Sequence, residues 1–211
     1  MKLSLVFTIL AGIATPVLAA SPTETAVGDI EAGKLKAASC AACHNEQGEA
    51  GGFPKLEGQH ASYLYKQLQD FKLGMTGGGA EGRANAVMGG MAMPLSDQDM
   101  LDLSAYYASL TMSPNTTPEE VVERGQALYM GGDIERGIAA CTACHGPRGV
   151  GQSLAKFPRV SSQYAGYIDS QLRAFRSGER ANDPNGMMRD VAMKLSDEDI
   201  EILSKYLGGL H

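Results

Sequence analysis

The length, composition and charge of the chain limit the classes of protein to which it can belong. Its 211 residues carry 18 Lys and Arg against 24 Asp and Glu, which gives a formal net charge of −6. Such an acidic chain has no basic face that would offset phosphate repulsion, so we exclude nucleic acid as a partner. We expect instead partners that dock through basic patches.

The first 20 residues have the composition of a secretory signal peptide. Lys2 precedes an apolar run that ends at Val17, and the small residues Ala19 and Ala20 follow, either of which suits cleavage. The run is short for a membrane-spanning helix, and no charged stop-transfer segment follows it. We predict a signal peptide at residues 1–20, with an uncleaved membrane anchor as the alternative.

A five-residue motif in the first half of the chain points to a covalent cofactor. Cys40-Ala-Ala-Cys43-His44 is a Cys-x-x-Cys-His run, the attachment signature of c-type haem. Its two thiols form thioethers with the vinyl groups of one porphyrin, and the next residue turns an imidazole onto the iron. The same run recurs at Cys141, Cys144 and His145. The two motifs use every cysteine, and the sequence therefore predicts two covalently bound haem c groups and a periplasmic location.

Apolar periodicity and capping signals predict three helices in the first half. We expect them at about residues 29–38, 62–73 and 97–110. Gly74 is expected to end the second helix, and Ser96 with Asp99 forms a capping-box pattern at the start of the third. A Gly-rich irregular loop with a methionine cluster is expected between these two helices.

The second half repeats the order of the first, which is the main organisational feature of the sequence. Pairs 104 positions apart include Phe53 and Phe157, Pro54 and Pro158, Gln59 and Gln163, and Gln67 and Gln171. No strand-like alternation separates these elements. We predict an all-α fold of two tandem haem domains, at residues 21–112 and 119–211, joined by a linker at residues 113–118.

The position opposite each histidine on the iron needs a second ligand. Methionine sulfur is a soft donor that favours ferrous iron, and the repeat pairs Met88 with Met188 and Met93 with Met193. Met93 and Met193 lie just before a helix, where a reach to the iron is awkward. Met88 and Met188 are expected in an extended loop that crosses the far face of the haem. We assign these two as axial iron ligands, and Met93 stays the alternative for the first haem.

A second histidine as the axial ligand is the competing arrangement. Outside the two motifs the chain has only His60 and His211, and the repeat places Tyr164 opposite His60. A symmetric bis-histidine arrangement is therefore excluded. We expect His60 to be an exposed residue near a helix start.

Two further residue types are expected around the cofactors. Pro54 and Pro158 each offer a carbonyl that can accept the Nδ1–H of the motif imidazole and so fix its orientation. Arg83 and Arg180, each in an Arg-Ala-Asn triplet, can reach haem propionates, with Arg189 as a competitor.

Taken together, these motifs resemble the dihaem cytochrome c4 family. The resemblance rests most on residues 66–70, 94–99, 140–145 and 188–196, and it covers residues 29–211. It implies two class I cytochrome c folds related by a pseudo-twofold axis, with haem propionates facing each other across the interface. It also implies His/Met ligation, with Met88 and Met188 on iron.

The resemblance implies an electron carrier of the periplasm rather than an enzyme. Such a carrier passes electrons between respiratory donors and a terminal oxidase or similar acceptor. We expect a monomer that meets redox proteins, such as a membrane oxidase or a cytochrome donor, with loose membrane association. One alternative is the dihaem subunit of a flavocytochrome sulfide dehydrogenase-type enzyme. Another is a dihaem peroxidase or thiosulfate-oxidising cytochrome, against which the symmetric methionines argue because such enzymes need an open or unusual sixth site.

Overall fold

The computed structural model describes residues 27–45, 48–77 and 81–210, so that the signal peptide predicted at residues 1–20 lies outside the described residues. Apart from two isolated β-bridges, the described ranges contain helices and connecting turns but no strand. The predicted all-α class is therefore confirmed. In the same ranges, no helix combines the length and the apolar character needed to cross a bilayer.

The first half is built from a short helix pair followed by three further helices. They are α1 (Ile30–Lys36), α2 (Ala38–Ala41), α3 (Ala61–Thr76), α4 (Ala86–Ala92) and α5 (Asp97–Ser109). Helix α5 packs against α1 and α3. Glycine is required at Gly33 of α1, because a Cβ there would lie 2.1 Å from the carbonyl oxygen of Asp102. The buried core of this half includes Leu64, Leu103 and Tyr107.

The second half repeats this packing. Its helices are α6 (Glu119–Gly131), α7 (Thr142–His145), α8 (Ala165–Ser177), α9 (Met187–Ala192) and α10 (Asp197–Gly209). Helix α10 packs against α6 and α8, as α5 packs against α1 and α3. Gly125 of α6 lies directly on Tyr206, where a Cβ would come within 2.5 Å of the tyrosine Cβ. In both halves, therefore, the first and last helices cross at a glycine of the first helix.

Capping residues define where the long helices start. The Ser96 hydroxyl accepts from the Asp99 N–H and the Asp99 carboxylate accepts from the Ser96 N–H, which is the capping box predicted for α5. Ser196 and Asp199 form the same box at the start of α10. The capping box predicted at Ser96 is thus confirmed, and its repeat counterpart has the same structure.

Two features of the structure differ from the sequence prediction. Helix α3 continues past Gly74, which was expected to end it, and stops at Thr76. Gly74 is buried, and a Cβ there would lie 2.4 Å from the carbonyl oxygen of Arg83, so this glycine allows the returning chain to approach the helix. Met88 and Met188, which were expected in extended loops, lie in the short helices α4 and α9.

Asp199, the acidic residue of the capping box at α10, makes the stability of the second half depend on pH in the acidic range. The Asp199 side chain is 1% exposed and accepts hydrogen bonds from Arg136 Nη1 at 2.6 Å and from Ser196 Oγ at 2.8 Å. Burial raises the pKa of Asp199, but these hydrogen bonds outweigh it and hold the pKa at about 2, below the ordinary 3.8. The stabilisation is therefore complete above the unfolded-state pKa and is lost as the pH falls toward 2.

We expect Asp199→Asn to lower the free energy of unfolding at neutral pH by about 1.5–3 kcal/mol, the value of a hydrogen bond to a charged group. The variant should also lose less stability than the unchanged protein when the solution is acidified. Urea unfolding of the holoprotein, followed by far-UV circular dichroism at neutral and acidic pH, measures both effects.

Asp99→Asn is the matched control, because Asp99 has the same position in α5. Lys36 and Ser96 lower the pKa of Asp99 as well, but the Asp99 side chain is 30% exposed and water weakens its ion pair. We expect a smaller loss of stability in this variant, and equal losses in the two variants would contradict the prediction.

Candidate haem-binding sites

The first Cys-x-x-Cys-His motif forms one wall of a central cavity. Cys40, Cys43 and His44 all line it. The N–H groups of Cys43 and His44 both donate to the Cys40 carbonyl, at 3.2 and 2.9 Å, which winds the motif into a single turn at the end of α2. Burial raises the pKa of the Cys40 thiol and lowers the pKa of His44, so both side chains are neutral near pH 7.

The second motif has the same turn but a deeper position. His145 N–H donates to the Cys141 carbonyl at 2.9 Å, and Cys144 and His145 line the cavity. Cys141 packs against the core of the second half, and burial raises its pKa to about 11. A thiolate is the form in which cysteine acts as a redox nucleophile or a zinc ligand. A raised pKa disfavours that form here.

A proline carbonyl fixes the imidazole in each motif. Nδ1 of His44 lies 2.8 Å from the Pro54 oxygen, and Nδ1 of His145 lies 2.9 Å from the Pro158 oxygen. Because a carbonyl oxygen only accepts, Nδ1 must carry the proton and Nε2 must carry the lone pair. Burial also lowers the pKa of His145. Each half thus presents a neutral imidazole in the tautomer that binds a metal through Nε2.

The structure separates the candidate methionines by their access to the cavity. Met88 and Met188 are partly buried and line it. Met93 and Met193 are not part of the wall; they lie at the C-terminal ends of α4 and α9 and are 41% and 62% exposed. Two other methionines on the wall are Met91 and Met187. The repeat-related pair at the cavity is therefore the one that the sequence favoured.

Different contacts anchor the two methionine helices. The Asn85 side chain caps α4 and accepts from the Met88 N–H at 2.8 Å. Helix α9 instead follows the turn Pro184–Gly186, and Asp183 accepts from the backbone and the guanidinium of Arg189, at 3.0 and 2.8 Å. Sequence reasoning missed both anchors, although an Asn three residues before Met88 is an N-cap signal. Arg189, which was considered as a propionate partner, is paired with Asp183.

A network of two arginines and their neutral partners lies between the halves. Arg83 donates to Tyr167 Oη at 3.2 Å and to Gln171 Oε1 at 2.6 Å. The mirrored contacts run from Arg180 to Tyr63 Oη at 2.9 Å and to Gln67 Oε1 at 3.1 Å. Burial raises the pKa of Tyr167, but the two guanidinium groups outweigh it and lower that pKa overall. All six residues line the cavity, so this part of its wall is positively charged.

The residues present fit haem c. The cavity encloses about 500 Å³ and is continuous between the halves. Its apolar wall suits a porphyrin ring; that wall includes Leu64, Phe71, Leu172 and Phe175. Thiols can take the vinyl groups, imidazole and thioether groups can take the iron, and guanidinium groups can take the propionates.

His60 lies near a helix start, as expected, but it is not exposed. It is half-buried at the start of α3, and its Nε2 donates to the Val150 carbonyl of the other half at 2.8 Å. His60 is not part of the cavity wall, so the structure gives it an interface role. His211 lies outside the described residues.

Comparisons with known proteins agree with this geometry. The family model for cytochrome c matches the chain twice, at residues 30–111 and 122–211. Cytochrome c4 of Thiocapsa roseopersicina is 50% identical, over 87% of this chain and 94% of the relative. A thiosulfate dehydrogenase electron acceptor of Thiomonas intermedia is 39% identical, over 82% and 78%.

A solved structure extends the agreement to the whole fold. The crystal structure of reduced recombinant cytochrome c4 from Pseudomonas stutzeri superposes with a TM-score of 0.83 at 47% identity. The superposition covers 88% of this chain and 100% of that chain. The chain belongs to the cytochrome c4 family: it is a dihaem electron carrier whose two cytochrome c domains hold two covalently bound haem c groups.

Proposed function

We propose that this carrier works in the periplasm and that each of its halves supplies a complete set of haem ligands. The thioether positions are Cys40, Cys43, Cys141 and Cys144. The residues that would hold the iron are His44 with Met88 in the first half and His145 with Met188 in the second. One observation carries the proposal: in each half, an imidazole fixed by a proline carbonyl and a methionine side chain line the same cavity.

When bound, each haem supplies an iron that alternates between the ferric and ferrous states. The chain's own residues keep that change simple. His44 and His145 cannot reorient without breaking their bonds to the proline carbonyls. Met88 and Met188 would each supply a thioether sulfur to the iron, a soft donor that favours the ferrous state. Since the same residues would hold the iron in both states, little structural reorganisation would accompany each electron.

Residues between the halves support transfer within one molecule. The shared cavity brings the two sites next to each other. Arg83 and Arg180 supply positive charge there, which suits the propionates of both cofactors. We place the domain boundary in residues 113–118, where the chain has no helix. The Lys55 ammonium donates to the Ser113 carbonyl at 2.7 Å, which ties this linker to the first half.

We expect the purified holoprotein to contain two haem c groups per chain and to show the weak red-region sulfur-to-iron band of ferric methionine-ligated haem. Carbon monoxide should leave the spectrum of the reduced protein unchanged, because both sixth positions are closed. Haem quantification and optical spectra in both oxidation states measure this. A carbon monoxide shift in one haem would show that a site opens and would favour an enzyme.

We expect Met88→Ala and Met188→Ala each to remove about half of the red-region band, since each variant should lose one of two sulfur ligands. The reduced form of each variant should then bind carbon monoxide at one haem. Met91→Ala and Met187→Ala are the matched controls, because these methionines line the same cavity from the same helices. If Met93→Ala lost about half of the band and Met88→Ala kept all of it, Met93 rather than Met88 would be the ligand of the first haem.

The physiological partners are the finer part of the proposal. We assign the chain to transfer from respiratory donors to a terminal oxidase or similar acceptor. A second candidate has support from two relatives: thiosulfate dehydrogenase electron acceptors share 39% and 37% identity over 82% of this chain. In that role the donor would be a thiosulfate dehydrogenase, and the chain would still be the carrier rather than the enzyme.

We expect the ferrous holoprotein to be oxidised rapidly by oxidase-containing membranes, at a rate that falls as salt is added, since the acidic chain attracts a basic docking site. Stopped-flow spectroscopy measures this rate. A parallel experiment mixes the ferric holoprotein with thiosulfate and a thiosulfate dehydrogenase. Fast reduction there, with no oxidation by the membranes, would favour the second candidate.

A further inference from the structure

Two buried glutamines each bind the backbone of the opposite half. Gln163 Oε1 accepts from the Lys55 N–H at 2.9 Å, and Gln163 Nε2 donates to the Lys55 carbonyl at 3.0 Å. Gln59 makes the same pair of contacts with Arg159, both at 2.8 Å. Each glutamine is only 5% exposed. The two contacts are equivalent under the internal repeat, so the second half holds the first in the same way that the first holds the second.

The bound N–H groups belong to the same peptides that orient the motif histidines. The Lys55 N–H shares one planar peptide unit with the Pro54 carbonyl, which accepts from His44 Nδ1. In the other half the corresponding peptide joins Pro158 and Arg159, and its carbonyl accepts from His145. A continuous chain of hydrogen bonds therefore runs from each glutamine, through one peptide group, to the imidazole of the opposite half.

Such a chain of hydrogen bonds changes the basicity of the imidazole as well as fixing its orientation. A peptide whose N–H donates to an amide oxygen becomes more polarised, and its carbonyl oxygen becomes a stronger acceptor. A stronger acceptor at Nδ1 raises the basicity of the imidazole at Nε2. The link between Gln163 and Lys55 is shielded, since both residues are buried, and this interaction is therefore weakly screened by water. The corresponding link between Gln59 and Arg159 is partly buried.

We propose that Gln59 and Gln163 are reciprocal positioning residues, each of which sets the orientation and donor strength of the axial histidine in the opposite half. This inference rests on the proposed ligation of iron by His44 and His145. It makes a crossed prediction: loss of Gln163 affects the haem of the first half, and loss of Gln59 affects the haem of the second. A residue that only stabilised the interface would affect both haems.

The test uses the reduced holoprotein labelled with nitrogen-15 at histidine, together with Gln163→Leu and Gln59→Leu. Nuclear magnetic resonance reports the Nδ1–H resonance of each motif histidine and its exchange with solvent. In Gln163→Leu we expect exchange at His44 to be faster by about two- to tenfold, the effect of one net hydrogen bond. Exchange at His145 should stay unchanged, and Gln59→Leu should show the reverse pattern.

The reduction potentials give a second readout. An imidazole that donates less strongly stabilises ferric iron less, so the potential of the haem in the opposite half should shift upward. Redox titration followed through the methyl signals of the axial methionines assigns each potential to one haem. Ser62→Ala is the matched control, because Ser62 Oγ bonds the Ser153 carbonyl across the same interface but does not contact a proline–histidine peptide. This control should shift neither histidine nor either potential.

Several outcomes would overturn the proposal. They are a change confined to the glutamine's own half, equal changes in both halves, or no change. Gln163→Glu is a second variant for the case in which the leucine variants do not fold. Because it keeps the oxygen that accepts from the Lys55 N–H, exchange at His44 should stay slow. Fast exchange at His44 in this variant would count against the proposal. The unchanged protein tests the ligation separately. Histidine resonances that are not shifted by a haem ring would show that His44 and His145 are not ligands, whatever the variants do.

Discussion

The hydrogen bond from each motif imidazole to a proline carbonyl is the constraint on which the surrounding structure depends. For His44 Nδ1 to lie 2.8 Å from the Pro54 oxygen, the chain must reverse within ten residues. The 3-10 turn Gly48–Gly51 and Gly52, with φ at +73°, make that reversal. In the second half Gly151, also at φ +73°, lies so close to the returning chain that a Cβ would be 2.4 Å from the Phe157 carbonyl oxygen. The glycines of both loops therefore serve the orientation of the motif imidazoles.

Polar contacts, rather than an apolar face, set the position of the two halves. An apolar interface tolerates sliding, whereas a shift here would leave buried donors and acceptors without partners. Among the described residues, no buried side-chain nitrogen or oxygen lacks a hydrogen-bond partner. The guanidinium of Arg83 stacks on Phe71 and that of Arg180 stacks on Phe175, at 4.6 and 4.4 Å from the ring centres. Each arginine is thus held by an aromatic ring of its own half and hydrogen-bonds to the other half, which gives the interface one register.

Local chemistry and the internal repeat predict much of this architecture, and long-range contacts account for what they miss. The haem motifs and the capping box at Ser96 can be read from short segments, and the internal repeat favours Met88. The role of Gly74 could not be read in this way. It depends on the return of the chain at Arg83, which passes so close to the helix that a Cβ at position 74 would not fit. The role of Gln59 was equally hidden: the repeat marks it as a recurring residue, but its partner Arg159 lies 100 positions away. The sequence shows which residues recur in the two halves. The contacts that explain why they recur are made between the halves and can be seen only in the folded structure.

The repeat is least exact where the methionine helices are anchored, and this difference distinguishes the two sites. Asn85 and Asn182 end identical Arg-Ala-Asn triplets, yet Asn85 caps α4 whereas Asn182 donates to Asp70 of the other half at 2.6 Å. Helix α9 relies instead on the bond from Arg189 to Asp183, whose side chain is 2% exposed. A pair between a buried carboxylate and a partly exposed guanidinium thus lies beside the second site, and an uncharged amide cap lies beside the first. Surrounding charge and hydrogen bonding shift the potential of an iron without any change of ligand. The chain therefore places two equivalent donor sets in unequal electrostatic surroundings.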